Sequence, residues 1–121
     1  MKNKIIDVIA YAVEEYVIEG EEEYDGYFYE GIEVNSNGEI EELEIYPTGL
    51  KTVVMIMAMI EKFARVKTEC VDYDFVDQVS NIKVKTSLKK GVYIPKVLSE
   101  DKRKEMTGWR EKMEKELWVC E

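Results

Sequence analysis

Eight consecutive residues, Val53 to Ile60, carry no polar side chain, and a run of that kind has to leave water. It is far short of the roughly 20 apolar residues that span a bilayer. One way to bury it is as a strand. The continuation through Glu61, Phe63, Ala64 and Arg65 favours a helix, capped by Thr48 and running to Val66. A helix apolar on every side belongs in the middle of a fold or in a subunit interface. Its methionines, Met55, Met57 and Met59, read as core filling.

The flanking segments supply what such a helix packs against. Ile5, Ile6, Ile9, Val13, Tyr16 and Val17 recur at helical spacing, so a first helix is expected over residues 4–19, between Asn3 as cap and Gly20 as stop. Residues 27–46 read as a hairpin. Asn37-Gly38 is the signal for a two-residue type I′ turn, whose central positions both need positive φ. Counting outward sets Ile32 against Leu43, Val34 against Glu41, and Glu33 against Glu42. A one-residue slip would exchange the two faces. Alternation over 69–76 predicts a strand with Val71, Tyr73 and Phe75 on one side, and Ile82–Thr86 and Val92–Ile94 predict two more. Ser99 caps a last helix, to residue 118, with Glu100 and Asp101 in its first turn and Met106, Trp109, Met113 and Leu117 as its stripe. Pairs four apart, Glu100 with Lys104 and Glu111 with Lys115, lie on its other faces.

At 121 residues the chain fits one domain. The expectation is α+β, in the order αββαβ(ββ)α. An antiparallel sheet of about four to five strands packs with a largely buried central helix.

Charge is the strongest functional signal. Between Glu14 and Tyr46 there are thirteen acidic residues and no lysine or arginine, so most of the net −9 is local. Five of the eight tyrosines fall in the same segment. Carboxylates on one face of a strand repeat at about 6.6–6.8 Å, similar in order to the phosphate spacing of a nucleic-acid strand. Tyrosines add contact area at low entropic cost. Glu33 set against Glu42 would be unfavourable, and a local rule broken without local gain often marks function. The candidate partner-binding residues are Glu21, Glu22, Glu23, Asp25, Tyr27, Tyr29, Glu33, Glu42, Glu44 and Tyr46. A solvated face that keeps the protein soluble is the simpler reading of the same charges.

A second cluster is basic. Lys83 and Lys85 share a strand face and Lys89-Lys90 follow at a turn, an arrangement that could hold a nucleotide or another small anion. Balancing the acidic hairpin, within the molecule or across a dimer, explains these lysines more simply. No GxGxxG or GxxxxGK[ST] loop accompanies them. A chain of net charge −9 repels nucleic acid, which argues against direct binding.

Other chemistries find no support. Histidine is absent, which removes the usual general base and commonest metal ligand. Asp72, Asp74 and Asp77 fail the EF-hand pattern, with Val76, Asp77 and Lys83 at positions 5, 6 and 12, so no metal is expected. Paired carboxylates in an open acidic run lack the apolar pocket that separates an acid from a base. Neither an enzyme nor a cofactor is expected. Cys70 and Cys120 form no CxxC motif and read as free thiols. The basic start and the apolar stretch behind it are interrupted at Asp7, with no small-residue cleavage site, so a cytoplasmic protein is expected.

In composition the chain resembles the small acidic inhibitors that phages and mobile elements carry against host nucleic-acid enzymes. In element order it resembles the roadblock/profilin-like class of dimerising scaffold domains. The first likeness implies a non-enzymatic protein whose acidic hairpin, residues 21–46, occupies a basic site on a protein partner by mimicking nucleic acid, the partner being a nucleic-acid-handling enzyme. The second implies a homodimer built on the second helix, which Met57→Asp or Ile60→Asp would split.

Overall fold

The computed structural model describes residues 2–15, 31–45, 50–74, 76 and 79–118. Among these, three helices cover one face of a five-stranded antiparallel sheet. Helix α1 is Lys2–Glu14; strands β1 and β2 are Ile32–Val34 and Glu39–Ile45; helix α2 is Leu50–Ala64. Strands β3, β4 and β5 are Lys67–Asp74, Val79–Lys85 and Gly91–Tyr93, and helix α3 is Glu100–Trp118. The strand order is β3-β4-β2-β1-β5. No described helix is long and apolar enough to cross a membrane.

The all-round apolar helix is not buried all round. Helix α2 buries Val53, Met55, Ile56, Met59, Ile60 and Ala64, but Leu50 and Val54 stand exposed one turn apart, beside Lys51. The enclosed helix is α1, in which residues 8–13 are all buried. Ala10 and Ala12 are small enough for neighbours to close over sides that a stripe of larger residues would leave open. Helix α1 packs on α2 and is sealed to α3, where the Tyr11 hydroxyl bonds Thr107 Oγ1 at 2.7 Å and Glu15 pairs with Arg110 at 3.2 Å. The expected extension of this helix through Tyr16 and Val17 lies outside the described residues, as does the Thr48 cap.

The hairpin turn differs from the expected type I′. The Gly38 amide donates to the Asn35 carbonyl at 3.0 Å, and the Asn35 amide donates to the Glu39 carbonyl at 2.8 Å. That is a three-residue loop over 36–38, a type I turn closed by a left-handed glycine with φ of 77°. Asn35 favours it, because its side-chain oxygen accepts the amides of Asn37 (2.9 Å) and Glu39 (3.1 Å). One added loop residue moves the register, so Val34 lies opposite Ile40 and not Glu41. A bulge between Ile40 and Leu43 then shifts the phase of β2, and Ile40, Leu43 and Ile45 all reach the core. Glu41 is exposed.

A second bulge, between Cys70 and Asp72, reorders β3. Cys70 and Tyr73 turn toward the core while Val71 is left 57% exposed, against the simple alternation expected there. The Cys70 sulfur lies 3.2 Å from the hydroxyl of Ser80, the one buried polar side chain among the described residues. At the start of β3 the Glu61 carboxylate accepts both the amide (3.0 Å) and the hydroxyl (2.8 Å) of Thr68, tying the strand to the last turn of α2.

Helix α3 begins at its expected cap, with the Lys102 amide donating to Ser99 Oγ at 3.2 Å. Met106 is fully buried, and Trp109 meets Phe63 edge-to-face at 5.6 Å. Ion pairs along α3 include Lys102–Glu105 at 3.8 Å and Arg110–Glu114 at 3.3 Å.

Candidate functional site

Among the described residues the core packs on one side of the sheet, and the strand side chains that alternate away from it share the other face. Cross-strand pairing assembles it row by row. Glu33 of β1 lies opposite Val92 of β5. Glu39, Lys85 and Lys67 form one row across β2, β4 and β3, and Lys83 and Glu69 form the next across β4 and β3. Glu44, Asn81 and Asp72 form a third, and Val79 with Asp74 a fourth. Glu33, Glu41, Glu69, Asp72 and Asp74 are exposed.

This face is acidic but not uniformly so. Lys83 reaches Glu39 at 3.3 Å, neutralising one carboxylate at the turn end. Lys67 and Lys85, both exposed and directly opposed, would repel by a few tenths of a kcal/mol if Glu39 did not flank Lys85 from the other side. Basic character is therefore confined to one corner, where β3 starts and β4 ends. Asp72, Asp74 and the Glu44 position hold the opposite end.

Of the expected partner-binding residues, Glu33, Glu42 and Glu44 fall on β1 and β2. Glu33 is exposed, and Glu44 sits opposite Asn81. Glu21, Glu22, Glu23, Asp25, Tyr27, Tyr29 and Tyr46 lie outside the described residues. The lysines considered for an anion are divided: Lys83 is engaged by Glu39, Lys85 belongs to the corner row, and Lys89 and Lys90 are exposed in the loop before β5. Counting charge by segment missed Glu69, Asp72 and Asp74, which the β3–β4 pairing carries onto the same face. Their signal was the solvent-facing alternation of β3, which shows exposure but not which strands lie alongside.

Among the described residues no group of three or more carboxylate, cysteine or histidine side chains could hold a metal ion. The chain matches no protein-family model, no curated protein and no solved structure, so its function is to be read from its own residues.

Proposed function

We propose that this is a non-enzymatic binding protein whose acidic sheet face, with the acidic segment around it, occupies a basic site on a partner protein. The observation that carries the reading is the gathering of carboxylates from β1, β2 and β3 onto one face of the antiparallel sheet, with Glu33, Glu41, Glu69, Asp72 and Asp74 exposed. Carboxylates two apart on one strand, such as Asp72 and Asp74, stand about 6.6–6.8 Å apart and adjacent strands about 4.8 Å apart, so such positions present negative charge on a grid. A groove shaped for nucleic acid presents the complementary charge, and an inhibitor of a nucleic-acid-handling enzyme is the function such a grid suits best. Steering by the net −9 raises the rate of encounter with a basic partner and makes the complex sensitive to salt.

The test is affinity capture from lysate of the source cells with wild type and two variants run in parallel. Glu33, Glu41 and Asp72 are exposed, so reversing all three to lysine should leave the fold intact. A control reverses Glu105, Glu111 and Glu116, exposed on α3, for the same change in net charge. A basic partner should be held by wild type and by the α3 control, lost with the face variant, released by high salt and displaced by duplex DNA. Equal loss with both variants would show that bulk charge is responsible, and the reading fails.

A further inference from the structure

The two edges of the sheet carry opposite charge. Strand β3 is one edge and β5 the other, and among the described residues neither pairs with a strand beyond it. The β5 edge is basic: Lys89, Lys90 and Lys96 are exposed around it, and no acidic residue falls between Thr86 and Ser99. The β3 edge is acidic, with Glu69, Asp72 and Asp74 exposed along the strand against one base, Lys67.

Exposed aliphatic side chains gather at the same two places. Val92, Ile94 and Val97, on β5 and just after it, are 64%, 63% and 83% exposed. Val71 and Val76, on β3 and just after it, are 57% and 89% exposed. A single exposed valine is ordinary, but here the exposed valines and isoleucine coincide with the strand edges.

An edge strand presents backbone amides and carbonyls that invite another strand, and charge along the edge is the usual deterrent. That deterrent works only between edges of the same sign. A two-fold dimer through β3 sets acid against acid, and one through β5 sets lysine against lysine. The β5 edge of one copy and the β3 edge of another attract. The strand directions permit their meeting: all pairings are antiparallel in the order β3-β4-β2-β1-β5, so β3 and β5 run the same way. Copies translated side by side therefore bring β5 to β3 as parallel neighbours and continue the sheet.

We propose that the protein associates with itself head to tail, the β5 edge of one copy adding to the β3 edge of the next. The contact joins unlike patches, so it builds a row of copies and not a closed pair. At physiological ionic strength the Debye length is about 8 Å, which screens the repulsion between whole chains of net charge −9 while charges on adjacent strands still meet. The row repeats the acidic sheet face but does not depend on what that face binds.

The test is sedimentation velocity of the full chain with and without charge reversal. A three-residue edge strand makes a small, weak contact, so Kd should be on the order of 0.1 mM, and the average mass should climb past that of a dimer between about 0.01 and 1 mM. Lys89→Glu with Lys90→Glu reverses one edge, and Glu69→Lys with Asp72→Lys reverses the other. Each double variant alone should associate about tenfold more weakly or worse. All four side chains are exposed, so the melting temperatures should match wild type. An equimolar mixture of the two variants should recover association, because an alternating row again joins opposite signs at every contact. Both variants remain net negative, so bulk attraction does not account for such recovery. A wild-type chain that stays monomeric at about 1 mM overturns the proposal. A mass that stops at a dimer and survives both reversals, or a mixture that stays monomeric, overturns it too.

Discussion

Replacing Ile60 by aspartate should unfold this protein, whereas replacing Val54 by aspartate, six residues earlier on the same helix, should leave it folded. Ile60 is fully buried and Val54 is 40% exposed. The first change loses the burial of a large aliphatic side chain, about 2–3 kcal/mol, and encloses a carboxyl group with no partner, which costs several kcal/mol more. A domain of this size has about 5–15 kcal/mol to lose. The second change touches a position already in contact with water and should cost less than about 1 kcal/mol. Circular dichroism and light scattering on both variants check this. A dimer interface on this helix would give the opposite pattern, with Ile60→Asp folded and monomeric. A folded Ile60→Asp chain would therefore contradict the packing described for α2.

The hairpin turn yields the second large effect. A methyl group on Gly38 would stand 3.1 Å from the Thr86 carbonyl oxygen and 3.3 Å from that of Leu88, and both are backbone atoms that cannot rotate away. The φ of 77° adds about 1–2 kcal/mol for any residue with a Cβ. The Thr86 amide and hydroxyl both donate to the Gly38 carbonyl, so the turn cannot move off without losing those bonds. Gly38→Ala should therefore cost about 2–4 kcal/mol, or roughly 8–15 °C in melting temperature. Two neighbours distinguish the turn types. Asn37 has no positive φ here, so Asn37→Ala should be close to neutral, whereas a type I′ turn would make it costly. Asn35→Ala should lose about 1 kcal/mol with the two amide contacts of its side chain. Gly108 supplies a positive control: a Cβ there meets nothing within 4 Å, so Gly108→Ala should stabilise α3 by about 0.5–1 kcal/mol. Thermal melts of the four variants settle the comparison.

These residues also show what the sequence could convey. Helix and strand periodicities were legible because they are local, and they place the elements of an α+β fold with an antiparallel sheet. The turn departs from type I′ because Asn-Gly signals that type only when nothing upstream competes. Asn35 competes by offering its own oxygen to two amides. Neither bulge was legible, since each is chosen by the partner strand. Val71 was expected to share a face with Tyr73 and is exposed because the β3–β4 ladder slips beside it. Burial of α1 on all sides was hidden by Ala10 and Ala12, which carry too little apolar surface to register as a stripe. The candidate site was legible only in its sequence-contiguous part. Glu69 and Asp72 join it through pairing partners that no local pattern reveals.

The seam between α1 and α3 also has a consequence for how the chain is made. Tyr11 meets Thr107 across 96 positions of sequence, and Glu15 meets Arg110 beside it. A ribosome adds about 5–20 residues per second, so roughly 5–20 s pass between the synthesis of one side of this seam and the other. During that interval Tyr11 lacks Thr107 and Glu15 lacks Arg110, and the side of α1 that meets them is not yet covered by α3. The nascent protein therefore carries this side of α1 uncovered until α3 has been made. Its successful production depends on what shields α1 during that wait.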